Sequence, residues 1–197
     1  MIIGVTGSIG SGKTAVAKLF SSHWYNRIDA DEIGHQIMKK NSVAYKKIIK
    51  IFDKEILDKD KNIDREKIGN IVFDDDNQLK KLNSIMHPII INEIKNKIKK
   101  IKVKCGDKTK IVIDAPLLLE TEMKNFVDKI IVVKAGKKTT LKRLSKKFSK
   151  EKIEKILNAQ MPLNKKLKYA DFVIDNNKDS KYLEMRVRGI IRKIENQ

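Results

Sequence analysis

The stretch Ile2-Ile3-Gly4-Val5-Thr6-Gly7-Ser8-Ile9-Gly10-Ser11-Gly12-Lys13-Thr14-Ala15-Val16-Ala17 constrains this chain more than any other. A short apolar run, Ile2 to Val5, reads as a buried strand. Glycines follow at 7, 10 and 12, and Val16, Ala17 and Phe20 then recur at helical spacing. Gly7, Gly12, Lys13 and Thr14 satisfy G-x-x-x-x-G-K-[ST] in the strand, turn and helix setting that gives the pattern its meaning. Glycine backbones reach conformations closed to other residues, so successive amide N–H groups can face one anion, and the helix N-terminus adds partial positive charge. Lys13 supplies a mobile ammonium for the outer phosphates, and the Thr14 hydroxyl is placed to ligate magnesium. Gly7, Ser8, Ile9, Gly10, Ser11, Gly12, Lys13, Thr14 and Ala15 are therefore expected to cradle a nucleoside triphosphate.

At 197 residues, 41% of them apolar, the chain is long enough for one compact α/β unit with insertions. Its single cysteine, Cys105, cannot form an internal disulfide. The start of the chain runs straight into the first strand, and no stretch approaches the ~20 apolar residues needed to span a bilayer. The expectation is a cytoplasmic protein with no membrane partner. The net charge of +19 implies a general attraction to polyanions. Lysine carries nearly all of it, however, and runs such as Lys95 to Lys102 keep Ile94, Ile98 and Ile101 at helical spacing. The lysines thus read as the solvated face of an amphipathic helix, and no specific nucleic-acid partner is expected. With only six arginines, the placement of each is more informative than that of a lysine.

Tyr25 to Asp29 reads as a second strand ending in Asp29-Ala30-Asp31, and acids at the end of a parallel strand project toward the ligand crevice of an open α/β sheet. From Glu32 to about Lys104 no internal strand is predicted, and apolar residues fall at helical spacing, as in Ile48, Phe52 and Ile56 or Ile68, Ile71 and Val72. Asp64 and the run Asp74-Asp75-Asp76 read as helix caps. Met86-His87-Pro88 reads as a break, with Pro88 in the first turn of the lysine-rich helix beyond it. Ile111 to Asp114 is a third strand closed by an acid; Asp114 is a candidate for holding magnesium, directly or through water, or else a helix cap. Lys129 to Val133 is a fourth strand, followed by a basic helical region with Arg143 and by a helix over Glu151 to Gln160. Phe172 to Asp175 is a fifth strand and Lys181 to Ile194 a closing helix. This alternation predicts a mostly parallel five-stranded sheet covered on both faces.

Taken in order, the pieces resemble the dephospho-coenzyme A kinase family over almost the whole chain. They are Gly4 to Thr14, Asp29-Ala30-Asp31, Asp64-Arg65 with Val72-Phe73, His87-Pro88, Asp114-Ala115-Pro116-Leu117-Leu118-Leu119-Glu120, Arg143-Leu144, Gln160, and Ala170 to Asn176. The phosphate loop alone indicates only a superfamily; the ordered set is far more specific. The resemblance implies an α/β, three-layer P-loop NTP hydrolase/kinase fold with three parts: a nucleotide-binding core over 1–31, 108–141 and 163–197, a helical acceptor domain over 32–107, and a small lid over 142–162. It implies transfer of the γ-phosphoryl group of ATP, with Mg2+, to the ribose 3′-hydroxyl of dephospho-coenzyme A, the last step of coenzyme A synthesis. Asp31 is the candidate for orienting that hydroxyl and taking its proton, with Asp29 the alternative. Lys13 and Arg143 complete the implied catalytic set, Arg143 as the lid arginine that reaches the transferring phosphate. Arg65 and His87 match the acceptor-binding positions, with Pro116 and Leu117 beside them, and Asn176 matches a segment near adenine. Where relatives carry further lid arginines this chain has Lys147 and Lys155, and Leu144 to Ser149 is shortened, so neither lysine inherits a catalytic role. A kinase for a nucleoside, nucleotide or shikimate-like acceptor shares the loop and lid, but gives no reason for Asp64-Arg65 and His87-Pro88 to occur together. A basic nucleic-acid-binding ATPase rests on the net charge alone.

Overall fold

The computed structural model describes residues 1–196, which divide into two compact units, Met1–Asp29 with the residues from Lys97 onward, and Ala30–Asn96. The strands are β1 Ile2–Thr6, β2 Asn26–Asp29, β3 Ile111–Asp114, β4 Lys129–Lys134 and β5 Phe172–Asp175. The helices are α1 Lys13–Ser21, α2 Ala30–Ile37, α3 Val43–Phe52, α4 Arg65–Asp74, α5 Asp76–Cys105, α6 Lys137–Leu144, α7 Lys150–Asn158, α8 Leu163–Leu167 and α9 Ser180–Glu195.

All five strands belong to the first unit and pair in the order β2-β3-β1-β4-β5, parallel throughout. Parallel neighbours need long crossovers, and the helices that supply them cover the sheet; hence the short β-branched runs with every residue of β3 buried. Central β1 has β3 on one side and β4 on the other, so the chain leaves β1 where the strand order reverses. In open α/β sheets that point, outside the carboxyl ends of the strands, is where ligands bind. Ile3, Val5, Val112, Ile131, Val133 and Ile174 of the sheet pack with Val16, Ala17 and Phe20 of α1 and with Leu183, Val187, Ile191 and Ile194 of α9. Each of these side chains larger than alanine contributes about 1.5–3 kcal/mol by leaving water. Tyr25 shares this core, its ring edge-on to Phe20 at 5.1 Å between centroids. Its buried hydroxyl meets no hydrogen-bond partner among the described residues. Burial first, and the Glu195 carboxylate second, push this phenol up to about 12.

The second unit is helical, and its core joins Ala44, Ile48 and Phe52 of α3 to Ile56, Ile68, Val72, Ile85 and Met86. The predicted caps form: Asp64 accepts from the Glu66 and Lys67 amides at the start of α4, and Asp75 from those of Asn77 and Gln78 at the start of α5. Among the described residues from Glu32 to Lys104, β pairing is limited to an isolated bridge between Leu57 and Ile63. The break expected at Pro88 does not occur, because α5 runs unbroken through it for 30 residues. A helix-interior proline forfeits one backbone hydrogen bond, and here the apolar residues Ile85, Met86, Ile89 and Ile90 on both sides of it pack into the core and hold the segment helical. Farther along α5, Ile94 is buried while Lys95, Lys99, Lys100 and Lys104 are exposed, the solvated face expected. No helix among the described residues is long and apolar enough to cross a membrane.

Ile131, fully buried in β4, tests the sheet core: Ile131→Ala should lower stability by about 2–5 kcal/mol in urea denaturation. Tyr25 gives a pH signature. Its folded-state value lies above the ordinary 10.0, so its contribution is whole below pH 10 and lost as pH rises toward 12. Tyr25→Phe should therefore lose less stability than the parent over that interval, measured as the urea midpoint against pH.

Candidate active site

The loop after β1 takes its shape from three glycines with positive φ, Gly7 at +155°, Gly10 at +76° and Gly12 at +89°. Space as well as conformation demands them: a Cβ on Gly7 would lie 2.2 Å from the Val133 carbonyl oxygen, and one on Gly12 2.1 Å from Asn176 Nδ2. The Ser11 amide donates to Ser8 O at 3.1 Å and the Ile9 amide to Gln160 Oε1 at 3.1 Å. The amides of Gly10, Gly12, Lys13 and Thr14 meet no protein acceptor among the described residues, and α1 starts at Lys13 without a side-chain cap. A run of N–H groups at a helix N-terminus is an anion site.

Donors secure the outer side of the loop. Arg143, on α6, donates through Nη1 to Gly10 O at 3.2 Å and Ser11 O at 3.3 Å, and through Nη2 to Asn176 O at 3.0 Å. Its Nε–H and a second Nη2–H meet no protein partner among the described residues. Asn176, expected near adenine, is buried at the end of β5 and gives its Nδ2 to Ser11 O at 2.8 Å. Lys13 is buried against the protein, whereas Thr14 is exposed.

Asp29 and Asp114 are partners across β2 and β3 at the strand ends. Two carboxylates side by side repel, and Arg27 answers both, since residues two apart on a strand share a face. Its Nη2 bonds Asp29 Oδ2, and Asp114 Oδ2 at 3.2 Å. Asp114 is only 2% exposed, and its Oδ1 has no hydrogen-bond partner among the described residues. A buried carboxylate oxygen left without a donor suits a cation.

A second buried charge lies nearby in sequence to none of these. Lys166 of α8 is 0% exposed and donates to Pro116 O at 2.7 Å and Glu120 Oε1 at 2.8 Å. Glu120 Oε1 also accepts from the Met161 amide at 2.9 Å, and Pro116 O from the Thr6 hydroxyl at 3.0 Å. Burial pushes the Lys166 ammonium below the ordinary lysine range; Glu120 pulls it back, and the charge of Lys13 acts with burial. The carbonyls of Pro116 and Leu117 are thus committed within the unit, that of Leu117 to the Thr121 hydroxyl at 3.0 Å.

In the second unit, Asp31 is exposed in the first turn of α2, immediately after the Asp29 strand end in sequence. Arg65, exposed at the start of α4, lines a cleft of about 410 Å³ with Glu32, His35, Gln36, Lys39 and Asn62. His87, half-buried on α5, does not line that cleft. Sequence reasoning missed Arg27 and Lys166. The alternation Arg27-Ile28-Asp29 held a usable signal for the first, but nothing marks Lys166 among so many lysines.

Comparison with known proteins bears on this geometry. The family model described as CoaE, dephospho-CoA kinase, matches residues 1–181. A dephospho-CoA kinase from Carboxydothermus hydrogenoformans is 41% identical over 194 residues, 98% of this chain and 93% of that protein. The solved dephospho-CoA kinase from Campylobacter jejuni superposes with a TM-score of 0.70 at 29% identity, covering 98% of this chain and 96% of that one. A shikimate kinase from Acinetobacter baumannii shares the fold alone, with a TM-score of 0.55 at 13% identity over 99% and 93% of the two chains. By its loop, its strand-end acids and this full-length likeness, the chain belongs to the dephospho-CoA kinase family.

Proposed function

We propose that the chain transfers the γ-phosphoryl group of ATP to the ribose 3′-hydroxyl of dephospho-coenzyme A, releasing ADP and coenzyme A. The observation that carries the reading is the loop from Gly7 to Thr14, whose inward amides and Lys13 are shaped for phosphates, in a chain of this family.

Phosphoryl transfer needs alignment and charge stabilisation more than covalent help. The amides of Gly10, Gly12, Lys13 and Thr14, with the Lys13 ammonium, hold the β- and γ-phosphates. Asp31 accepts the proton of the 3′-hydroxyl as its oxygen bonds to the γ-phosphorus and the bond to the β–γ bridging oxygen breaks; Asp29, held by Arg27, is the alternative. The two unused N–H groups of Arg143 are available to the equatorial oxygens. Arg65, with Lys39 in the same lining, offers the second unit's cleft to the anionic parts of dephospho-coenzyme A; His87, Pro116 and Leu117 are the further acceptor contacts carried by the resemblance.

The donors fit a magnesium ion: Asp114 Oδ1 has no hydrogen-bond partner among the described residues, and Thr14 is exposed at the start of α1. Magnesium is commonly held by one or two carboxylates plus nucleotide oxygens, and when bound it neutralises charge on the β- and γ-phosphates.

Two measurements test the reading. With ATP and magnesium, ADP should form only when dephospho-coenzyme A is added, and not with nucleosides or shikimate; preference for another acceptor overturns the assignment. Asp31→Asn should lower kcat by about 10²–10⁴-fold while ATP affinity stays within about twofold. Equal losses in both would remove Asp31 from the role of base.

A further inference from the structure

The segment from α6 to α7 touches the phosphate loop at both of its ends. At its start, Arg143 donates to the Gly10 and Ser11 carbonyls. At its finish, half-buried Gln160 accepts the neighbouring Ile9 amide through Oε1 at 3.1 Å. The residue after Gln160 is fixed too, since the Met161 amide donates to Glu120, whose carboxylate is paired with fully buried Lys166. Gln160 therefore projects from a braced backbone onto a loop that must hold one conformation to bind phosphate.

From this arrangement we propose that Gln160 is a positioning residue for phosphoryl transfer: by taking the Ile9 N–H, it fixes the first turn of the loop and thereby aims the amides of Gly10, Gly12, Lys13 and Thr14 at the phosphates. A neutral acceptor suits the task. It satisfies an amide on the outer side of the cradle without bringing a negative charge toward the triphosphate, as a carboxylate there would. The proposal rests on reading the loop as the nucleotide site but not on the identity of the acceptor.

The test compares Gln160→Ala and Gln160→Glu with the parent, reading amide exchange at Ile9 without nucleotide and ADP affinity by calorimetry. Neither readout needs the acceptor, so loss of dephospho-coenzyme A specificity would defeat the functional reading and leave this one standing. Gln160→Ala should exchange Ile9 about tenfold faster and bind ADP about fivefold more weakly. Gln160→Glu keeps an oxygen for the amide, so it should restore slow Ile9 exchange yet still bind ADP more weakly, by charge repulsion. A merely structural residue would not separate the two readouts in this way. Parent-like Ile9 exchange in Gln160→Ala overturns the proposal, and so does parent-like ADP affinity in that variant.

Discussion

A loop that turns its N–H groups inward to an anion turns its carbonyls outward, and buried carbonyls need donors. That constraint governs the nucleotide end of this chain. The Gly10 and Ser11 carbonyls are met by Arg143, Ser11 again by the Asn176 side chain, and the Asn176 carbonyl by Arg143 in turn. The close fit of Asn176 beneath Gly12 is the reason that position has no room for a Cβ. The cradle is therefore not a property of its glycines alone; residues up to 165 positions away in sequence hold it open.

Charge sets the rest of the site. Parallel pairing puts Asp29 and Asp114 side by side, and a single guanidinium from the same strand as Asp29 makes the pairing tolerable. The arrangement leaves Asp114 Oδ1 buried without a donor among the described residues, an acceptor that a bound cation would satisfy. After β3, Lys166 and Glu120 form an ion pair whose value lies in organisation. It joins the turn after β3 to the approach to α8, and such pairs seldom add much net stability.

What the sequence disclosed follows from how local each signal is. The loop, the five strands and the caps at Asp64 and Asp75 depend on neighbouring residues and could be read directly. Pro88 could not, because its fate was decided by apolar neighbours on both sides packing into one core. Arg27 and Lys166 were invisible for a different reason. Their roles are conferred by partners 87 and 50 residues distant, Asp114 and Pro116, and a lysine in this chain carries no distinguishing mark. Asn176 was placed near the base by resemblance, while its amide is engaged with the loop backbone.

The two-ended grip of the α6–α7 segment has a consequence for how such chains vary. Its anchors, Arg143 and Gln160, land on Gly10, Ser11 and Ile9, so the span between them is dictated by the loop and not by the helices in between. The peptide linking the anchors lies at the surface around Ser145 to Lys150, where residues can be gained or lost at little cost. Removing residues there would shorten the tether while leaving both moorings in place.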